Sequence, residues 1–294
     1  MENNEVNDKL IYSVLIIVII GMILYICFSK GYFDPIAKKV KKIFNNETTE
    51  KVKKVDNNKK EETIVGPIID TTTQKTSSGI EQEGLIAVAY LDPTNLNNKC
   101  NEDNSTIGSG IKGCMKWYIY SEDDETYTMI LDHNTENSVV WNKDNTDITY
   151  ENSGAYTAIQ KLITDNSWNN NLDVRIISAN EIATITNNTT FDPTKLDTWF
   201  YLDNNSATIP TYTQGSSKYA WLYDYTNNCS GCDTETSNVY STSGYLTNTS
   251  SGVEFGVGAG VWNIYHDGKL HAGLVTFDDV GIRPVITVDK SVFK

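Results

Sequence analysis

The sequence predicts an α+β fold: one N-terminal transmembrane helix, then a mostly antiparallel β domain with short helices. Three observations carry this expectation. The 19 residues Leu10–Phe28 hold no charge and lie between Lys9 and Lys30. At about 1.5 Å of rise per residue, such a run nearly covers the ~30 Å hydrocarbon core of a bilayer. From Gly84 onward, short aromatic and β-branched runs alternate with turn-forming clusters, which is the pattern of strands and hairpins. Two of the intervening segments instead carry helix signals, one in its apolar spacing and one in its cap.

In chain order, residues 1–31 are a tail and an anchor. No small-residue cleavage site follows the apolar run, so it reads as retained rather than as a removed signal peptide. Residues 32–80 read as a basic juxtamembrane segment and a flexible stalk. Ile36, Val40, Ile43 and Phe44 recur at helical spacing among Lys38, Lys39, Lys41 and Lys42. Such a stretch either lies on an anionic membrane surface or continues the anchor helix into water. Residues 45–78 are rich in Lys, Glu, Asn and Thr, and large apolar residues are scarce outside Ile64–Ile69. That composition does not offset the entropy of ordering a chain.

Residues 81–294 form the globular α+β domain. Met115–Tyr120 and Tyr127–Leu131 predict a hairpin around an acidic loop. Tyr156, Ile159, Leu162 and Ile163 predict a helix, and Asp173–Ile177 a strand. Ser178 and Glu181 stand at capping-box spacing ahead of Ile182, Ala183 and Ile185, so a short helix should begin there. Trp199–Leu202 and Tyr219–Tyr223 read as strands. The glycine-rich segment 252–260 reads as a bulged or flexible loop. Val261–Tyr265 and Leu270–Phe277 flank Asp267-Gly268, a two-residue hairpin signal. Ile282–Val288 is the closing strand, and it should carry Arg283 into the core, held by an acid or by backbone carbonyls.

Charge divides the chain in the same place. Residues 1–80 hold 12 Lys against 10 acids, and residues 81–294 carry a net charge of −16. So acidic a domain has no basic patch able to neutralise phosphates, and nucleic acid is excluded as a partner. Cysteine usage bears on location. Cys27 lies in the apolar run, and the domain holds Cys100, Cys114, Cys229 and Cys232. Two close pairs suggest disulfides, Cys100–Cys114 and Cys229–Cys232, which persist outside the cytosol. Four free thiols, a zinc site or thiol-redox work by Cys229-Ser-Gly-Cys232 are the alternatives. The lysines after the anchor argue the opposite topology by the positive-inside rule.

Catalytic patterns are sparse. His133, His266 and His271 belong to no metal-binding motif, although His266 and His271 flank one hairpin turn and could meet across strands. No nucleophile elbow, Walker A or dinucleotide fingerprint occurs. No cofactor is expected. The acids Glu122–Glu125 and Asp144–Asp147 offer oxygen ligands of the kind calcium uses, without the EF-hand order. Tyr and Trp concentrate between Trp199 and Tyr265. Aromatic faces serve sugar- and peptide-binding surfaces, and Trp221 and Trp262 are the ligand-binding candidates.

Several segments together resemble an envelope-protein domain family of low-GC Gram-positive bacteria. They are Gly113–Tyr120, Ile130–Asn134, Ile176–Ile182, Thr198–Leu202, Lys218–Tyr225 and Gly281–Thr287, spanning about residues 90–287. The resemblance implies an extracytoplasmic domain behind a single anchor or a pilin-like start. The Gly-Phe-Thr-Leu-Ile-Glu start of a pilin is missing, which favours an unprocessed anchor. The chain departs from the family at Gly244–Asn248, where a Trp is usual in place of Leu246. More remotely, the closing Gly281-Ile-Arg283-Pro284 strand is similar to the end of C-type-lectin-like and formylglycine-generating-enzyme-like domains. That similarity implies an internal, structural role for Arg283. The expected function is therefore a membrane-anchored, surface-displayed recognition or adhesion module without catalysis. Its expected partners are the bilayer, through Leu10–Phe28, and an extracellular glycan or protein. The alternatives are an envelope enzyme, either a formylglycine-type oxidase or a glycosidase, and a cytoplasm-facing structural domain.

Overall fold

The computed structural model describes residues 67–76, 78–102, 112–135, 138–145, 147–210, 216–223, 244–255 and 258–294, with 252–255 by backbone alone. The predicted anchor Leu10–Phe28, the stalk before residue 67, and Cys229 and Cys232 lie outside the described residues. Among the described residues, no helix is long and apolar enough to cross a membrane.

A six-stranded sheet forms the centre. Its strands are β1 (Ile68–Asp70), β2 (Ala87–Leu91), β3 (Met115–Glu122), β4 (Thr126–Leu131), β5 (Asp173–Ile176) and β11 (Pro284–Asp289), in the order β1-β2-β3-β4-β11-β5. All five pairings are antiparallel. The predicted β3–β4 hairpin is present, with a bulge between Ile119 and Ser121. The closing strand lies inside the sheet, between β4 and β5. β1 falls within the segment read as stalk. The apolar pair Ile68 and Ile69 explains the difference: the strand pairs with β2, and Ile69 packs against the core.

Strands β3, β4 and β11 are buried on both faces, so they read as continuous apolar runs rather than as alternating ones. One face carries Trp117, Ile119, Met129, Leu131 and Ile286 against α1 (Gly154–Thr164). Helix α1 buries Ala155, Ala158, Ile159 and Leu162, at spacings of three and four residues. The Ser153 hydroxyl starts it by accepting from the Tyr156 amide at 3.0 Å. The other face carries Val88, Tyr118, Ile130 and Val285. Against it pack α2 (Ala179–Ile185), α3 (Ala220–Tyr223) and part of a second sheet.

That second sheet has the order β10-β7-β8-β9-β6, from β6 (Phe200–Tyr201), β7 (Gly244–Phe255), β8 (Gly258–Tyr265), β9 (Lys269–Leu274) and β10 (Val280–Gly281). Its pairings are antiparallel except β10 with β7. The Asp267-Gly268 hairpin joins β8 to β9 as expected, with Gly268 at φ 75°. The glycine-rich segment 252–260, expected as a bulged or flexible loop, is largely strand: residues 252–255 end β7 and 258–260 begin β8, in a ladder with two register shifts.

Two predicted strands differ. Trp199–Leu202 contributes only the two residues of β6. Tyr219–Tyr223 is not a strand: Ala220–Tyr223 is a single helical turn, α3. The Ser217 hydroxyl accepts from the Tyr219 amide at 2.9 Å, and the Leu222 amide donates to Tyr219 O at 2.9 Å, closing the turn locally. Every residue of α3 is buried, so its side chains carry no periodicity that separates helix from strand.

Candidate functional site

A cleft of about 650 Å3 opens beside α2. Three distant segments build it: Glu83 and Gly84 just before β2, Tyr120 and Ser121 near the end of β3, and residues 178–187 along and beyond α2. Gly84 sits at φ 69°, and a Cβ there would lie 2.5 Å from the Ile185 Cγ2. Only glycine combines that backbone with so close an approach.

The polar floor is one closed network. Ser178 and Glu181 form the predicted capping box, with the Glu181 amide donating to Ser178 Oγ at 3.1 Å. Glu181 Oε2 accepts from the Ser178 amide and hydroxyl, both at 2.8 Å, and from Arg175 Nη1 at 2.9 Å. Glu181 Oε1 accepts from Arg175 Nη2 at 2.6 Å and from the Tyr120 hydroxyl at 3.0 Å. Burial favours the neutral carboxyl, but the Arg175 and Ser178 donors outweigh it and hold the Glu181 pKa below its ordinary value. Burial and the neighbouring Glu181 carboxylate push the Tyr120 phenol far above its usual range. The Tyr120 ring stacks on Trp221 at 6.3 Å between centroids and 27° between planes.

Glu83 forms the opposite rim. Its Oε2 accepts from Lys218 Nζ at 2.8 Å and from the Tyr219 hydroxyl at 3.2 Å. Lys218 is the chief cause holding the Glu83 pKa below its ordinary value. The same segment fixes α3, because the Trp221 amide donates to Gln82 Oε1 at 3.0 Å and its indole to Glu83 O at 2.8 Å.

Trp221 and Trp262 do not present stacking faces to solvent, which corrects the expectation for both. They are 1 % and 0 % exposed, and the Trp262 indole donates to Pro193 O at 2.9 Å. Each fills the space between the central sheet and its neighbours, where a large ring with one polar atom finds a carbonyl. Arg283 lies where expected. It is 0 % exposed, between Gly281 in β10 and Pro284 at the start of β11, where the chain passes from one sheet to the other. Its Nη1 and Nη2 donate to Leu222 O at 2.7 Å and Trp221 O at 2.8 Å, and its Nε donates to Leu131 O. The rings of Tyr118 and Tyr245 flank it at 5.8 and 5.5 Å.

Cys100 and Cys114 are joined as a disulfide, both buried. His271 lies opposite Asn263 across the β8–β9 ladder and packs its ring 4.2 Å from that of Tyr265. The acidic stretches serve local turns. Asp123 accepts from the Glu125 and Thr126 amides, Glu122 pairs with Lys290 at 2.7 Å, and Asp147 accepts from the Thr149 amide. Among the described residues, no group of three or more His, Cys, Asp or Glu side chains could hold a metal ion.

Sequence reasoning took Glu181 only as a cap, Tyr120 only as a strand residue, and passed over the role of Arg175. One signal was available. The chain is rich in lysine yet has only two arginines, Arg175 and Arg283, and both spread a planar fork over several acceptors. Comparisons of the chain with protein-family models, curated proteins and solved structures find no match.

Proposed function

We propose that this chain is a non-catalytic recognition module, held by Leu10–Phe28 in the plasma membrane and facing outward, which takes an extracellular ligand in the cleft beside α2. The observation that carries this reading is the commitment of Glu181. Both of its oxygens are engaged by five internal donors, and its pKa lies below the ordinary carboxylate value. A general acid or base needs a free oxygen near the operating pH. Glu83, the other carboxylate among the described residues lining the cleft, sits at the exposed rim and pairs through Oε2 alone, with Lys218 and Tyr219, which hold its pKa below the ordinary value. The hydroxyls of Ser121, Ser178 and Thr184 line the cleft, and among the described residues lining it there is no histidine to activate a nucleophile. The buried Cys100–Cys114 bond supports an oxidising compartment.

The test is to display the full chain on cells and challenge them with arrayed glycans and host-surface proteins. Capture should occur, disappear when external protease removes the domain, and survive Glu181→Gln in any copy that remains folded. Turnover of a captured ligand, abolished by Glu181→Gln, would overturn the proposal in favour of an envelope enzyme. A domain protected from protease until the cells are lysed would overturn the outward topology.

A further inference from the structure

Resting on the cleft as a recognition site, we propose that its ligand is an uncharged carbohydrate, a short oligosaccharide rather than an acidic or basic chain. The charge inventory of the cleft leads there. Among the described residues its two carboxylates each pair with an internal cation, Glu181 through both oxygens with Arg175 and Glu83, at the exposed rim, through Oε2 with Lys218 at 2.8 Å. A charged ligand would shed water to compete with an internal partner for its counter-ion, since each carboxylate already faces a cation. What remains available is neutral. The side chains of Asn180, Asn187 and Ser121 line the cleft, are exposed, and have no hydrogen-bond partner among the described residues. An amide and a hydroxyl each donate and accept, the same complement that sugar hydroxyls carry. Tyr120 and Ile185 add apolar surface for the carbon face of a sugar ring. The volume lies within the ~300–1,000 Å3 typical of small-molecule sites.

An extended peptide is also neutral and polar along its backbone, but it binds best by adding a strand to an open sheet edge. The strand that lines this cleft, β3, has β2 on one side and β4 on the other.

The test is calorimetry of the detergent-solubilised full chain at 50 and 500 mM NaCl. The neutral probes are maltohexaose, cellohexaose and chitohexaose. The contrasting probes are sialyllactose, a heparin hexasaccharide, a chitosan hexamer and an uncharged Ala/Gln hexapeptide. The variant is Asn180→Ala combined with Asn187→Gly. Glycine suits position 187 because Asn187 already sits at φ 56°. At least one neutral hexasaccharide should bind, with less than a twofold change across the salt range, since no ion pair forms. The variant should weaken that binding at least tenfold with its melting temperature unchanged. Binding of no neutral sugar would overturn the inference, as would full affinity in the variant. A charged sugar or the peptide binding more tightly, and lost in the variant, would overturn it while leaving the cleft as a recognition site. Hydrolysis of a probe would overturn both.

Discussion

Arg283 is a cation without a described acidic partner, so dipoles must replace its water. The carbonyls of Trp221 and Leu222 lie in the single turn of α3, where carbonyl oxygens point towards a cation. Leu131 O is the end of β4, so one side chain ties a strand to a helical turn. Truncation to alanine would remove donors from three carbonyls and leave a cavity, though Leu222 O would keep the Tyr245 hydroxyl at 2.8 Å. Arg283→Ala should therefore cost about 3–5 kcal/mol, measured by urea unfolding. Arg283→Lys should recover only a minor part, because one ammonium cannot reach acceptors on two elements at once. A lysine variant as stable as the parent would show that charge alone suffices. The interior place of Arg283 was legible from its apolar neighbours Ile282, Val285 and Ile286. The places of Trp221 and Trp262 were not: aromatic density names the residue type, and the face each ring takes depends on which elements cover it.

At the scale of elements, local signals were readable where local chemistry decides. The capping box at Ser178 and Glu181, the α1 apolar stripe and the Asp267-Gly268 turn all depend on residues a few positions apart, and all three formed. Helix α3 was misread because its residues are buried on every side, and β1 because its pairing partner lies some twenty residues downstream. The β8–β9 hairpin carries a pH-dependent feature. Burial, with Lys269 nearby, pushes the His271 pKa from 6.5 down to about 4. Between those values the unfolded chain binds a proton that the folded hairpin excludes, so stability falls as pH drops from about 6.5 towards 4. The penalty is absent above pH 6.5, where the ring is neutral in both states, and grows to on the order of 3 kcal/mol below about pH 4. Urea midpoints at pH 4.5 and 7.5 should differ more for the parent than for His271→Gln. Equal differences would mean that other groups, chiefly carboxylates, set the acid sensitivity.

For the molecule as a whole, the class of fold was legible and the cleft was not. Strand-rich periodicity implied a mostly antiparallel α+β domain closing on a strand that carries Arg283 into the core. The cleft joins residues 83–84, 120–121 and 178–187, and no local pattern announces that such segments will meet. The Cys100–Cys114 bond was legible from spacing, and it has a mechanical consequence. A pull applied to the chain before β1 enters the domain at an edge strand held by three residue pairs to β2 and by the Ile68 amide on Cys100 O at 3.1 Å. As unravelling proceeds, tension arrives at Cys100 and crosses the sulfurs to Cys114, 14 positions on, so the segment between them never bears load. That segment would add roughly 40 Å if drawn straight. Single-molecule stretching should give a fully extended contour shorter by about this amount than that of the Cys100→Ser, Cys114→Ser double variant, whereas equal contours would mean that the two sulfurs are not joined in solution. The bridge thus works as a length limiter, capping how far the domain can be drawn out from whatever holds its N-terminal side.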